Sequence, residues 1–94
     1  MKFEWDEDKA AKNLRKHGVT FQEASTVFYD RLAQVSPDEM HSERMTLIGM
    51  SQHERLLFTV YVEKEELDDG ETIYRIISAR RATSHERKGY EEGK

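Results

Sequence analysis

The spacing of apolar residues changes once along the chain, near Asp30, and that change restricts the fold more than any other feature. Before it, apolar residues recur at helical intervals; after it, they alternate with a period of two. A chain that is helical first and β-patterned afterwards builds an α+β domain. A short strand is predicted over Lys2 to Trp5, ending at Asp6, a good N-cap residue followed by two more acids. The first helix then runs to about His17, with acids in its first turn, bases in its last and Gly18 as its stop. Ala10, Ala11 and Leu14 form its apolar stripe. Thr20 and Glu23 make a T-x-x-E capping box, and Phe21, Ala24, Val27 and Phe28 carry a second helix over roughly 21 to 30.

Candidate strands follow at about 32 to 36, 44 to 50, 55 to 63 and 72 to 80, with turns at Ser36-Pro37-Asp38 and at Ser51 to Glu54. They describe an antiparallel sheet of about four strands. Alternation places Leu56, Phe58, Val60 and Val62 on one face of the third strand and sends Arg75 and Arg80 to opposite faces of the fourth. A second capping box, Thr83 with Glu86, opens a short terminal helix reaching about Glu92. One sheet face is then covered by helices, and the other, which carries arginine, is left open. A chain of 94 residues has room for one modest core and a single domain, so Trp5, Phe21, Phe28 and Phe58 are expected inside. Tyr61, Tyr74 and Tyr90 suit either packing or stacking on a base.

A net charge of −4 argues at first against a polyanionic partner, but the charges are segregated. Residues 63 to 71 hold six acids against Lys64, whereas 72 to 90 hold Arg75, Arg80, Arg81, Arg87 and Lys88 against Glu86 alone. The N-terminal segment repeats the polarity, with Glu4, Asp6, Glu7 and Asp8 ahead of Lys9, Lys12, Arg15 and Lys16. Two basic patches suited to nucleic acid survive the acidic total. There is no cysteine and the four histidines are dispersed, so neither a disulfide framework nor a zinc site is expected, nor any other cofactor. The longest apolar run, Leu56 to Val62, is far too short to cross a bilayer, and the N-terminus has no signal-like stretch. These features predict a cytoplasmic protein.

The residues Phe3-Glu4-Trp5-Asp6, Lys9, Asn13, Lys16-His17-Gly18-Val19, Phe21, Glu23-Ala24, Ile48-Gly49, Arg75 to Arg80, Ala82, Glu86-Arg87 and Tyr90 together resemble the BrnT family of toxins over nearly the whole chain. The resemblance implies one RelE-like domain spanning 1–94. It also implies a ribonuclease that slows growth by cleaving RNA, and a cognate BrnA-type ribbon-helix-helix antitoxin that binds DNA and represses the shared operon. A complex of two toxins with two antitoxins is implied as well, with DNA reached only through the antitoxin. The chain departs from the family in its acidic loop, Lys64 to Glu71, and in Arg31, where a proline is common.

Cleaving RNA without metal requires a group to take the 2′-hydroxyl proton, a donor for the leaving oxygen and cations for the charge that grows on the phosphoryl oxygens. Arg80 is the first candidate for charge stabilisation, at a strand end beside the N-terminus of the last helix; an ion pair with Glu86 explains it otherwise. Lys16 and His17, at the negative end of the first helix, can hold phosphate or donate a proton, or simply cap the helix. Arg44 and Arg55 begin adjacent strands and can join the patch. Glu86 is a candidate base, although its capping role accounts for it as well. Arg55, Arg75, Arg81, Arg87 and Lys88 suit backbone contacts with RNA, or contacts with the antitoxin, which is expected to neutralise the toxin by covering the arginine-bearing face. His41, His53 and His85 look exposed and receive no role. These assignments require Arg80 and the Lys16–His17 corner to converge on one pocket. A non-catalytic module that docks its partner and co-represses the operon is the alternative.

Overall fold

The computed structural model describes residues 1–65 and 68–93. The elements in chain order are β1 (Lys2–Glu4), α1 (Glu7–His17), α2 (Phe21–Thr26), a 3-10 turn (Val27–Tyr29), β2 (Gln34–Pro37), β3 (Met45–Met50), β4 (Leu56–Glu65), β5 (Thr72–Arg81) and α3 (Ser84–Glu92). Of the acidic loop predicted between the last two strands, Glu66 and Leu67 lie outside the described residues. The expected change from helix to sheet at Asp30 is therefore present. Among the described residues no helix is long and apolar enough to cross a membrane.

The sheet has five strands in the order β1-β5-β4-β3-β2, one more than expected. β1 runs parallel to β5, Phe3 against Tyr74, while the other pairs are antiparallel. Three residues separated from their partner by most of the chain carry no local sign of that pairing, because a parallel strand needs no hairpin turn. β1 ends at Glu4, opposite Arg75, so Ala79 further along β5 has no strand beside it on that edge. Asn13 of α1 supplies what the strand would have given: Nδ2 donates to the Ala79 and Val19 carbonyls, and Oδ1 accepts from the Ala79 N–H at 3.1 Å. This corrects the expected inner stripe of α1, since Asn13 is buried whereas Ala11 and Leu14 are exposed.

Local chemistry fixes the helix ends. The Asp6 carboxylate accepts from the Asp8 and Lys9 N–H groups, and Gly18 ends α1 in the left-handed region at φ 69°. At α2 only half of the predicted capping box forms: Thr20 accepts from the Glu23 N–H, but the Glu23 carboxylate turns inward. The helix also stops earlier than its apolar spacing suggests and tightens into the 3-10 turn before Asp30. Gly49 of β3 lies directly beneath that turn, where an added Cβ would sit 2.7 Å from Val27 Cγ1.

Val19, Phe21, Ala24 and Val27 of the helical layer meet Leu47, Leu57, Tyr61, Ile76 and Ala79 of the sheet in the main core. Phe3, Trp5, Phe28 and Tyr74 extend it, with Phe28 edge-on to Tyr61 at 4.9 Å. The strand reading needs two corrections here. The core face of β4 is Leu57, Thr59 and Tyr61, so Phe58, Val60 and Val62 leave the other side, only half-buried, and Phe58 is not a core residue. A bulge between Val60 and Tyr61 then shifts the register, with Val60 opposite Ser78 and Tyr61 opposite Ile76. Because of this extra residue, Arg75 (opposite Val62) and Arg80 (opposite Phe58) leave the same face.

Candidate functional site

The face away from α1 and α2 is the open one, and α3 lies against one end of it. α3 turns Glu86 and Tyr90 inward: Tyr90 donates to Asp30 at 2.6 Å, and Gln34 Nε2 donates to the Gly89 carbonyl. Burial, then the Asp30 carboxylate, pushes the Tyr90 hydroxyl up to about 12. Beside α3 a groove of about 600 Å³ is floored by Thr46, Ile48 and Phe58 and bounded by Ser36 to Met40 and by His85.

Arg80 stands at the edge of this groove. Its guanidinium lies over the Phe58 ring at 4.2 Å and meets Glu86 through two hydrogen bonds, Nη1 to Oε1 at 2.8 Å and Nη2 to Oε2 at 2.9 Å. Nη1 also donates to the Arg81 carbonyl. The Nε–H and one Nη2–H keep no partner among the described residues. Glu86 completes its capping box, accepting from the Thr83 N–H, and the Arg80 guanidinium holds its carboxyl below the ordinary carboxylate range. A carboxylate so occupied is a poor proton acceptor, and its geometry is that of a group that orients Arg80.

The remaining candidates separate. Lys16 and His17 end α1, and Asn13 of that helix reaches the Ala79 backbone from the core side, whereas the Arg80 side chain leaves the opposite side with Phe58. The two start from opposite faces of the sheet, and no contact among the described residues joins Arg80 to the Lys16–His17 corner. Arg55 is committed elsewhere. Its Nε donates to Glu23 Oε2 at 2.9 Å, and Nη2 to Glu23 Oε1 and to the Gly18 carbonyl, while Ser51 Oγ donates to Glu23 Oε2. This cluster, buried at Glu23, ties α2, the end of α1 and the β3–β4 turn together, and gives Arg55 a structural role while its side chain stays partly exposed. The Arg55 guanidinium, and then Ser51, holds the Glu23 carboxyl below its ordinary range.

Arg75 is on the Arg80 face but at its far end, paired with Glu4 at 2.9 Å; Lys64 reaches the same carboxylate. Arg44 lies 3.7 Å from Glu43 at the start of β3. Arg81, Arg87 and Lys88 are exposed, and no acid pairs with them among the described residues. His85 was passed over in the sequence because a helix-start histidine is usually solvated. Its place on the groove wall beside Phe58 depends on the last helix folding back across the sheet, which no local pattern reveals.

A family model described as "Ribonuclease toxin, BrnT, of type II toxin-antitoxin system" matches residues 5–86. No curated protein matches the chain. Among solved structures, the crystal structure of the Brucella abortus ribonuclease toxin BrnT is similar, with a TM-score of 0.67 and 26% identity, covering 89% of this chain and 99% of that one.

Proposed function

The chain belongs to the BrnT family of ribonuclease toxins of type II toxin–antitoxin systems, and from that premise we propose that it cleaves RNA without metal at the Phe58–Arg80–His85 groove. The family implies an RNA substrate and an antitoxin partner. The observation that carries the assignment is Arg80 itself, a guanidinium held by Glu86 and Phe58 on the open face with two N–H groups unpartnered among the described residues.

In this reading the substrate's 2′-hydroxyl oxygen bonds to phosphorus while the bond to the 5′ oxygen breaks, leaving a cyclic phosphate and a free 5′-hydroxyl. Arg80 directs its unpartnered N–H groups at the phosphoryl oxygens as their charge grows. His85 takes the 2′ proton or supplies one to the leaving oxygen, since an imidazole does either near neutral pH, and water serves for the other transfer. The Phe58 ring offers a platform for the neighbouring base, and Lys88, beside His85, holds the next phosphate. Dependence on the 2′-hydroxyl makes DNA a non-substrate. Cleavage of messenger or ribosomal RNA in the cytoplasm stops translation. A BrnA-type ribbon-helix-helix antitoxin, assembled as two toxins with two antitoxins, reverses the effect and carries the DNA contact.

The test is incubation of the purified chain with RNA, with and without ribosomes, in the presence of a chelator. Products with cyclic phosphate ends are expected, and intact RNA under all conditions would sink the proposal. The engagement of both Arg80 terminal nitrogens by Glu86 favours one other reading, a module that only docks its partner. That reading predicts that Arg80→Ala weakens antitoxin binding while growth arrest on induction is unchanged.

A further inference from the structure

The other face of the sheet carries a feature that RNA cleavage leaves unused. α1, α2 and the 3-10 turn cover only part of it. Beyond Phe28 a cleft of about 390 Å³ opens, walled by Phe28, Tyr61, Tyr74, Met45, Leu47 and Val35. Met1 and Val35, both more than half exposed, line the cleft. Two of the six large apolar side chains exposed among the described residues thus line one depression whose floor is aromatic.

The rim is acidic. Glu63, opposite Tyr74, and Glu65, opposite Thr72, alternate with Tyr61 and so leave this face, and no cation pairs with either among the described residues. Lys64 between them turns to the other face and meets Glu4 at 2.8 Å. The Met1 ammonium is matched by Glu71 at 2.7 Å, so an aromatic floor beside the Glu63 and Glu65 carboxylates repels phosphate and attracts a polypeptide with apolar side chains flanked by cations.

We propose that this cleft anchors a segment of the cognate antitoxin, one presenting aliphatic or aromatic side chains beside lysine or arginine. The proposal rests on the reading of the chain as a toxin with an antitoxin partner, and it places the anchor on the face opposite the groove that takes RNA. Neutralisation then combines two surfaces, an anchor in the cleft and whatever the bound antitoxin extends around the sheet edge.

The test uses the full chain and the protein encoded by the adjacent reading frame, with affinity measured by calorimetry and RNA cleavage measured on the same samples. Val35→Asp, which introduces a charge at the wall, is expected to weaken binding on the order of 10-fold to 100-fold. Glu63→Lys should weaken it by about tenfold and flatten its salt dependence. Cleavage by the free variants stays unchanged, and Leu14→Asp, an exposed apolar position elsewhere, binds normally. Wild-type affinity in both cleft variants, with loss in Lys88→Glu instead, overturns the inference and places the antitoxin on the groove face. Reduced RNA cleavage by Val35→Asp assigns the cleft to RNA, and a wild-type dimer that Val35→Asp dissociates assigns it to self-association; either result also overturns it. If the wild-type chain does not bind the adjacent product at all, the antitoxin reading itself fails, and this inference fails with it.

Discussion

Two of the arginine–glutamate pairs among the described residues share one chemistry in different surroundings. On the helical side, Glu23 is almost wholly buried, and its carboxylate accepts from Arg55 and Ser51 at the junction of α1, α2 and the β3–β4 turn. On the open side, Glu86 caps α3 and grips an Arg80 that remains one-third exposed and over an aromatic ring. The first pair fastens the arginine to a junction of three elements, and the second holds the arginine over an aromatic ring on the open face. What separates the two pairs is their surroundings: the Glu23 carboxylate is buried where helices and turn meet, whereas Arg80 stands beside a groove on the open face.

The most direct way to break this comparison is to remove each arginine in turn. Arg80→Ala should lower the cleavage rate by about 100-fold to 1,000-fold, while unfolding shifts by about 1 kcal/mol, because Glu86 keeps its capping hydrogen bond. Arg80→Lys recovers little, since a point charge cannot hold both Glu86 oxygens and a phosphate together. Arg55→Ala should do the reverse. It strands the Glu23 carboxylate in the interior at a cost of about 3 kcal/mol, seen as a fall in Tm on the order of 15 °C, with RNA cleavage per folded molecule unchanged. If Arg55→Ala abolishes cleavage below its Tm, the division into a structural and a functional pair is wrong.

How much of this was legible beforehand follows from distance along the chain. The caps of α1 and α3 and the Arg80–Glu86 contact join residues six or fewer positions apart, so side-chain chemistry and spacing were enough to anticipate them. Glu23 and Arg55 are separated by 32 positions, and Glu23 read locally as half of a capping box. The same limit hid the parallel pairing of β1 with β5, the bulge that brings Arg75 and Arg80 to one face, and the opposite sides of the sheet from which α1 and Arg80 start. A period-two pattern assigns faces only while the register holds, and one inserted residue reverses every assignment beyond it. His85 was set aside because position at a helix start says nothing about which surface the helix will cross.

The hydrogen bonds at the two ends of α3 and at the helical junction titrate in opposite directions, which offers a subtler separation. Glu23 and Glu86 both lie below their ordinary range, so their stabilisation is complete above the unfolded carboxylate value and is lost as pH falls through the folded one. A Glu23→Gln variant should therefore lose less stability than the wild type between about pH 5 and 3. Tyr90 is raised to about 12, so its contribution is present below the unfolded phenol value and disappears as pH climbs from about 10 toward 12. Tyr90→Phe should cost about 1 kcal/mol at neutral pH and remove that alkaline slope in denaturant titrations. Identical slopes in the wild type and the variant would mean that the Asp30 contact does not hold α3.

The smallest effect tests whether the core face is as fully satisfied as these junctions suggest. Asn13, Glu23 and Ser51 are buried polar groups that all find partners, whereas the Thr59 hydroxyl, wholly buried in β4, finds none among the described residues. Thr59→Val keeps the branched shape that a central strand favours and removes the stranded oxygen. Because the hydroxyl loses its water on folding and gains nothing in return, the variant should be more stable by about 1 kcal/mol, raising Tm by about 5 °C. Thr59 faces the helices and not the groove, so cleavage should not change. A lower Tm would show that the hydroxyl is bonded after all, most simply by an enclosed water, and that the core face leaves no polar atom unpaired.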